Sequence, residues 1–242
     1  MESRREFLLR MGDNALILGH RVSEWCGHAP VLEEDIALAN TALDLIGQAQ
    51  MWLALAANGT DQTADDLAFR RDAWDFRNGL LVEQPNGDFG QTMMRQVLFD
   101  AWHVEALAAL AAGPDAEIAA VAAKAGKEAA YHLERSAETV IALGDGTEES
   151  HTRMQAALDL LHPYLGELLE GDEIDAAAGL DACIAAATDA KIADIMAAAT
   201  LTLPDSRRAP TGGKTGQRHS EHLGHLLTQM QWLQRAYLDA TW

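Results

Sequence analysis

The sequence predicts an all-α protein. Two alanine-rich runs, ALAALAAG and AEIAAVAAKAGKEAA, favour helix because alanine has the highest helix propensity. Apolar residues also recur at helical spacing in the second predicted helix, and runs of β-branched residues with a period of two are absent from the sequence. The recurring residues of that helix are Leu32, Ile36, Ala39, Leu43, Ile46 and Leu53.

Seven helices are expected, and prolines separate several of them. Pro30, Pro85, Pro114 and Pro204 fall between periodic segments, where a proline costs least. The predicted helices span about residues 5–27, 32–58, 88–112, 115–143, 150–169, 174–201 and 219–238.

The lengths of the connections predict how these helices are arranged. The links CGHAPV and AAGPD are short, and short links favour antiparallel neighbours. A long segment, about residues 58–87, separates the second helix from the third. Two antiparallel hairpins joined by one long crossover form a ferritin-like four-helix bundle. We therefore expect residues 1–242 to form a single ferritin-like domain, with the extra C-terminal helices packed outside the bundle.

The composition of the sequence limits which cellular compartment and which kinds of partner are expected. The formal net charge of −19 at pH 7 disfavours nucleic acid and anionic membranes as partners. Two cysteines, Cys26 and Cys183, are too few for a disulfide framework and indicate a reducing compartment. The first residues do not resemble a signal peptide, and no stretch has the length of apolar sequence that spans a bilayer. The sequence predicts a cytoplasmic protein.

Carboxylates are placed where a di-iron bundle would carry them, one in each of the four long helices. Such a site needs a Glu from two helices and a Glu-x-x-His from each of the other two. Gly47 and Tyr131 stand where those histidines are expected, and His132 is rotated about 100° from that position. His103 does follow a carboxylate by three residues. The carboxylates are Glu24, Asp44, Asp100 and Glu128.

Two interpretations of this cluster remain open. Buried carboxylates must be paired or bound to a metal. A metal-free network, with Lys124 or Lys127 supplying positive charge, is favoured because iron oxidation chemistry uses imidazole ligands. A metal site with an unusual ligand set is the alternative, and a solvated face would explain Asp44 and Asn40.

Two basic segments are further candidates. Residues 70–78, RRDAWDFRN, bring three arginines and two aromatic side chains into the crossover. They suit the phosphates and purine of a coenzyme A thioester, although surface ion pairs would explain them equally well. Residues 207–218 are basic and glycine-rich, which is typical of a docking tail. His219, His222 and His225 follow a drifting helical stripe, which disfavours a zinc site.

Six motifs, in order from about residue 10 to Trp242, closely resemble the family of structural, PaaC-type subunits of ring-1,2-phenylacetyl-CoA epoxidases. These motifs are SEWCGHAP, IALANTALDLIGQAQ, LLVEQPNGDF, DAWHVEAL, KEAAYHLERS and TGGKTGQRHSEHLGHLLTQMQWLQR.

The resemblance implies a ferritin-like, non-catalytic subunit without a metal of its own. Its implied partners are a homologous catalytic di-iron subunit and a reductase that carries electrons from NADPH through flavin and iron–sulfur groups. The complex would epoxidise the ring of phenylacetyl-CoA with O2, and the acyl-CoA would bind at or near the subunit interface. The resemblance places substrate binding at Asp75, Phe76, Arg77, Asn78, Ala176, Ala177 and Ala178.

Glu24, Asp44, Gly47, Asp100, His103, Glu128, Tyr131 and His132 would then be vestigial di-iron positions. Two other functions stay open at this point. The chain would alternatively be an independent di-iron oxidase, or an acyl-CoA-binding module without an oxygenase partner.

Overall fold

The prediction of an all-α protein is confirmed. A computed structural model describes residues 2–180, 183–205 and 211–238, and within these ranges every regular element is helical. The α-helices are α1 (Glu2–Ser23), α2 (Leu32–Ala57), α3 (Ala64–Phe69), α4 (Leu80–Glu83), α5 (Phe89–Ala111), α6 (Ala116–Gly144), α7 (Glu148–Leu161), α8 (Gly166–Leu169), α9 (Glu173–Ala178), α10 (Cys183–Ala198) and α11 (Glu221–Ala236).

The chain divides into two compact units. The first comprises residues 1–85 and 211–242, and the second comprises residues 86–210. The first unit contains α1 to α4 and α11, whereas the second contains α5 to α10. The single domain over residues 1–242 stays a prediction.

In the first unit, α1 and α2 form a close hairpin. Glycines permit the approach: a Cβ atom at Gly12 would lie 2.7 Å from the Leu53 side chain, and one at Gly19 would lie 3.1 Å from Ile46. Helix α1 ends four residues earlier than predicted, at Ser23. A chain of turns follows it through Gly27, whose φ of 81° is a left-handed conformation that suits glycine.

The long crossover of the first unit is largely ordered by short elements. Thr63 and Asp66 form a capping box that starts α3. Asp72 and Asp75 form a second capping box around a 3-10 turn over Ala73–Asp75. The crossover then enters α4, all four residues of which are buried. Helix α11 packs on α1, α3 and this 3-10 turn, so the C-terminal segment covers the crossover.

In the second unit, α5 and α6 form the predicted hairpin. Asp88 caps α5 by accepting from the Gln91 N–H, and Asp115 caps α6 by accepting from the N–H groups of Glu117 and Ile118. Helices α7 and α10 pack on both.

Two predicted helices of the second unit are broken. The segment predicted as one helix over 150–169 consists of α7, a 3-10 turn over His162–Leu165 and α8, because Pro163 removes a helical hydrogen-bond donor. The helix predicted over 174–201 is α9 followed by α10, and Gly179, with φ 98°, ends α9. No helix of the described part of the chain is long and apolar enough to cross a membrane.

Two glycines of α6 test the packing of the second unit. A Cβ at Gly126 has no atom nearer than 4.0 Å, whereas one at Gly144 would lie 2.5 Å from the carbonyl oxygen of Ala199. We expect Gly126→Ala to raise the free energy of unfolding by up to about 1 kcal/mol through helix propensity. Gly144→Ala should lower it by about 1–3 kcal/mol through overpacking. Urea denaturation of both variants measures the difference, and equal effects would contradict the close approach at Gly144.

Candidate functional site

Only one of the four carboxylates aligned with a di-iron site is fully buried, namely Asp100. Glu24 lies beyond the end of α1, is exposed, and forms an ion pair with Arg21 at 3.1 Å. Asp44 and Glu128 are half-buried. The four carboxylates therefore do not share one buried environment.

Both oxygens of Asp100 accept hydrogen bonds from protein side chains. Gln96 Nε2 donates to Oδ1 at 2.7 Å, and Ser136 Oγ donates to Oδ2 at 2.9 Å. Burial raises the pKa of Asp100 to about 6, although nearby His132, the hydrogen bonds from Ser136 and Gln96, and Arg135 oppose that rise. The group is held as a hydrogen-bonded carboxyl between α5 and α6.

His103, which follows Asp100 by three residues, is also buried. Its ring lies 4.9 Å from the ring of Phe99 and stacks on Trp102 at 6.0 Å. Burial, assisted by His132, lowers the pKa of His103 to about 3, so its imidazole is neutral at physiological pH. Its Nδ1 has no hydrogen-bond partner among the described residues.

On α6 the side chain that faces inward is that of His132, one residue after Tyr131, for which the inward position was predicted. Tyr131 is 55% exposed, whereas His132 is 2% exposed and faces the same side as Ala125, Ala129 and Ser136. The small residues of α6 fix that face because they allow α5 to approach.

On α2, too, the buried residue lies one position after the predicted one. Gln48 is fully buried, whereas Gly47 is half-exposed and a Cβ built there meets no atom within 4 Å. Leu45, Ala49 and Trp52 set the buried face of α2 and bring Gln48 inward.

The predicted source of positive charge is wrong as well. Lys124 and Lys127 are both exposed. Asp100 is satisfied instead by Gln96 and Ser136, with His132 nearby. The metal-free network itself stays a prediction; the structure changes only which side chains contact Asp100.

These donors do not fit a di-iron centre. The one buried carboxylate already accepts from two side chains, and the carboxylates of Glu24, Asp44 and Glu128 are partly or fully exposed. Within the described residues, no group of three or more His, Cys, Asp or Glu side chains is arranged to hold a metal ion.

The first unit contains a buried ion pair that the sequence did not reveal. Arg71 binds both carboxylate oxygens of Asp13, which is completely buried. The backbone N–H of Arg77 donates to the same carboxylate at 2.8 Å. The Arg71 guanidinium also lies 4.2 Å from the centre of the Phe76 ring, a cation–π contact. This pair fastens the crossover to α1.

Glu83 is a second buried carboxylate and joins the crossover to the C-terminal segment. Asn78 Nδ2 donates to its Oε1 at 3.0 Å, and His219 Nδ1 lies 2.5 Å from the same oxygen. Ser220 donates to Oε2 from its backbone N–H at 2.7 Å and from its hydroxyl at 2.6 Å. Arg21 donates to the Glu83 carbonyl oxygen at 2.9 Å.

The glycine-rich segment before α11 packs on this chain's own crossover. A Cβ at Gly213 would lie 2.5 Å from the carbonyl oxygen of Asn78, so only glycine allows that approach. Arg207 and Arg208 of the predicted docking tail lie outside the described residues. His219 is committed to Glu83, whereas His225 is exposed, so these histidines do not converge.

The arginines of the crossover are paired within the chain. Arg70 binds Asp66 at 3.0 Å, and Arg77 binds Glu6 at 2.6 Å. Together with the Arg71 pair, these contacts agree with the ion-pair explanation of the segment. The substrate-binding role given to Asp75, Phe76, Arg77 and Asn78 stays a prediction; Phe76 and Asn78 are fully buried, whereas Asp75 is exposed.

The other residues to which the resemblance assigns substrate binding, Ala176, Ala177 and Ala178, lie in α9. Ala176 and Ala177 are exposed, and Ala178 is half-buried. Their role likewise stays a prediction.

Comparison with known proteins places the chain in a family. The family model described as "Phenylacetic acid catabolic protein" matches residues 2–242. The chain is also 45% identical over 243 residues to one of the subunits of the 1,2-phenylacetyl-CoA epoxidase of Escherichia coli (strain K12), with 98% of each chain covered. The chain belongs to the phenylacetic acid catabolic protein family. The resemblance inferred from the six motifs is thereby confirmed.

Sequence reasoning missed several polar residues that organise this family member. Glu83 had a signal, since a lone carboxylate interrupts the apolar run LLVE in one of the six motifs. Gln96 was not missed, since its spacing of four residues places it on the same helical stripe as Asp100, whereas Ser136 becomes notable only once it faces Asp100. Asp13 and Arg71 are separated by 58 residues, and nothing in their local sequence pairs them.

Breaking the buried ion pair should be costly. We expect Arg71→Met to lower the free energy of unfolding by about 3–5 kcal/mol, because it leaves the buried Asp13 without its cation. Arg153→Met is the control, since Arg153 is 58% exposed in its ion pair with Glu149, and we expect it to be neutral. Guanidinium denaturation measures both variants. Equal stability of the two would contradict a buried role for Arg71.

The raised pKa of Asp100 predicts a pH dependence. The folded state holds this proton between about pH 4 and 6 while the unfolded state releases it, so stability is lost as pH rises through about 6. Asp100→Asn removes the charge and keeps one oxygen that accepts a hydrogen bond, while its amide can donate to the Ser136 hydroxyl, which can also accept. We expect its unfolding free energy, relative to wild type, to rise by about 2–3 kcal/mol between pH 4 and 7.

Urea titrations across that range measure this difference. Glu138→Gln, at an exposed position of α6, serves as control and should follow wild type at every pH. A relative stability of Asp100→Asn that does not change with pH would contradict the buried carboxyl.

Proposed function

We propose that this chain is the non-catalytic structural subunit of a multicomponent di-iron monooxygenase that epoxidises the ring of phenylacetyl-CoA in aerobic phenylacetate degradation. The observation that carries the proposal is the state of Asp100: both of its oxygens accept hydrogen bonds from protein side chains. A buried carboxylate that accepts two hydrogen bonds is stabilised without a metal. The similarity to an epoxidase subunit over 98% of the chain supports the assignment to such a complex.

The scaffold is proposed to be ferritin-like. Two helical hairpins, α1–α2 and α5–α6, and one long crossover support this arrangement. An experimental structure showing these four helices in any other arrangement would overturn that part of the proposal.

The chemistry is assigned to partners. A homologous catalytic subunit would hold the di-iron centre, and a separate reductase would supply electrons from NADPH through flavin and iron–sulfur groups, all in the cytoplasm. Phenylacetyl-CoA would bind at or near the interface. Within this chain, the exposed Asp75 and the partly exposed Arg77 side chain favour contact with substrate, as do the exposed Ala176 and Ala177.

Reconstitution tests the division of labour. The chain, the catalytic homologue and the reductase are combined, and NADPH consumption dependent on phenylacetyl-CoA is measured. We expect full turnover only when this chain is present, and turnover with Asp100→Asn within a few-fold of wild type, because Asp100 would not bind the reacting metal. Loss of the chain, by contrast, should abolish turnover.

The alternatives give different results in the same assay. Turnover by this chain and the reductase without the homologue would establish an independent oxidase. Binding of phenylacetyl-CoA without co-elution of the homologue on size exclusion would establish an acyl-CoA-binding module. A loss of several orders of magnitude with Asp100→Asn, while the complex stays assembled, would also contradict the proposal.

A further inference from the structure

Helix α2 has two apolar faces, and only one of them is covered. Its buried face includes Leu38, Leu45, Ala49 and Trp52, all of which are 1% exposed or less. An amphipathic surface helix carries polar residues opposite such a face. On α2 the opposite side is mainly apolar instead, with the exposed Asn40 and Gln50 as its polar members.

The outer face of α2 is formed by residues that recur at helical spacing. Leu32 is 71% exposed, Ile36 is 54% exposed and Leu43 is 67% exposed. Ala39 and Gly47 lie on the same side, and the five residues fall within a sector about 80° wide, at 100° per residue. These are largely the residues whose spacing predicted the helix. Exposed apolar surface of this extent on a soluble protein marks an interaction site.

The shape of the outer face suits a helix. Its residues from 32 to 47 extend along about 23 Å of a straight helix, at 1.5 Å per residue. Gly47 lacks a side chain, and a Cβ there would meet nothing within 4 Å, so the space at this end of the face is open. Large residues beside small ones form the ridges and grooves into which a second helix packs.

The negative charge beside the outer face indicates what kind of helix could bind there. Helix α2 carries four carboxylates, Glu33, Glu34, Asp35 and Asp44, and contains no Lys, Arg or His. Glu33 and Asp44 lie about 40–60° beyond one edge of the outer face, on the far side of Asn40. A second copy of this chain would bring the same carboxylates together, with a net charge of −19 on each copy. A helix with basic residues at its margin would be complementary instead.

We propose that the outer face of α2 docks an amphipathic helix of the catalytic subunit, one with an apolar centre and Lys or Arg along its margin. This inference rests on the proposed function and adds to it which surface of this chain holds the partner and what chemistry the partner presents. Burial of Leu32, Ile36 and Leu43 supplies the affinity, and Glu33 and Asp44 guide the approach.

The test measures the dissociation constant for the catalytic homologue by titration calorimetry. We expect the double variant Ile36→Glu with Leu43→Glu to weaken binding at least about 100-fold, because it places two charges in an apolar contact. Both side chains are exposed in the chain alone, so the circular dichroism spectrum and melting temperature should stay those of wild type. Leu160→Glu on α7 is the matched control, since Leu160 is 49% exposed and lies outside the outer face.

The role of Glu33 and Asp44 is tested by measuring the rate at which the two subunits associate. Glu33→Lys with Asp44→Lys should slow association and weaken its dependence on salt, while the apolar contact remains. A merely structural role of these carboxylates would leave the salt dependence unchanged.

Each other outcome overturns the proposal. If the double variant binds the homologue as tightly as wild type, the outer face is not the docking surface, although the proposed function survives. If the same variant instead dissolves a homodimer of this chain, the occupant is a second copy. If wild type does not bind the homologue at all, the proposed function fails and the docking proposal fails with it.

Discussion

A buried carboxylate must find a cation or hydrogen-bond donors, and that requirement organises both units of this protein. Asp13 and Glu83 meet it in the first unit, and Asp100 meets it in the second. The first two hold together segments that are far apart in sequence: Arg71 brings the crossover to α1, and Ser220 brings the C-terminal segment to the crossover. Together with the buried residues of α4, these contacts order a crossover whose helices are only four to six residues long.

The same requirement distinguishes the described donors from the donor set of a di-iron centre. In a metal site the carboxylate oxygens and imidazole nitrogens are left available by the fold, and the metal supplies the charge that burial demands. Here Gln96 and Ser136 donate to the oxygens of Asp100, whereas Glu24 is exposed and Asp44 and Glu128 are half-buried. His103 is neutral and packed among Phe99 and Trp102, in the manner of a core aromatic residue. The second unit thus keeps the polar residue types of the pattern and uses them for packing.

Sequence patterns predicted the helices well because apolar spacing and alanine content act locally. They predicted the inward positions less well, since a shift of one residue turns a helix by about 100°. Tyr131 and Gly47 were assigned inward, and the structure places His132 and Gln48 there. The apolar spacing of α2 misled in the same way, because Leu32 and Leu43 follow the exposed side of a helix that is apolar on two sides. Pairs such as Asp13 and Arg71 depend on how the crossover folds back, which no local pattern encodes.

The iron content of the purified chain tests most directly whether its carboxylates bind a metal. The chain would be expressed alone with iron supplied, then analysed by elemental analysis and by absorbance in the region of oxo-bridged di-iron centres. We expect iron far below one atom per chain and no such absorbance, because Asp100 is satisfied by protein donors. One pair of irons per chain, with the absorbance of a di-iron centre, would contradict the structural role.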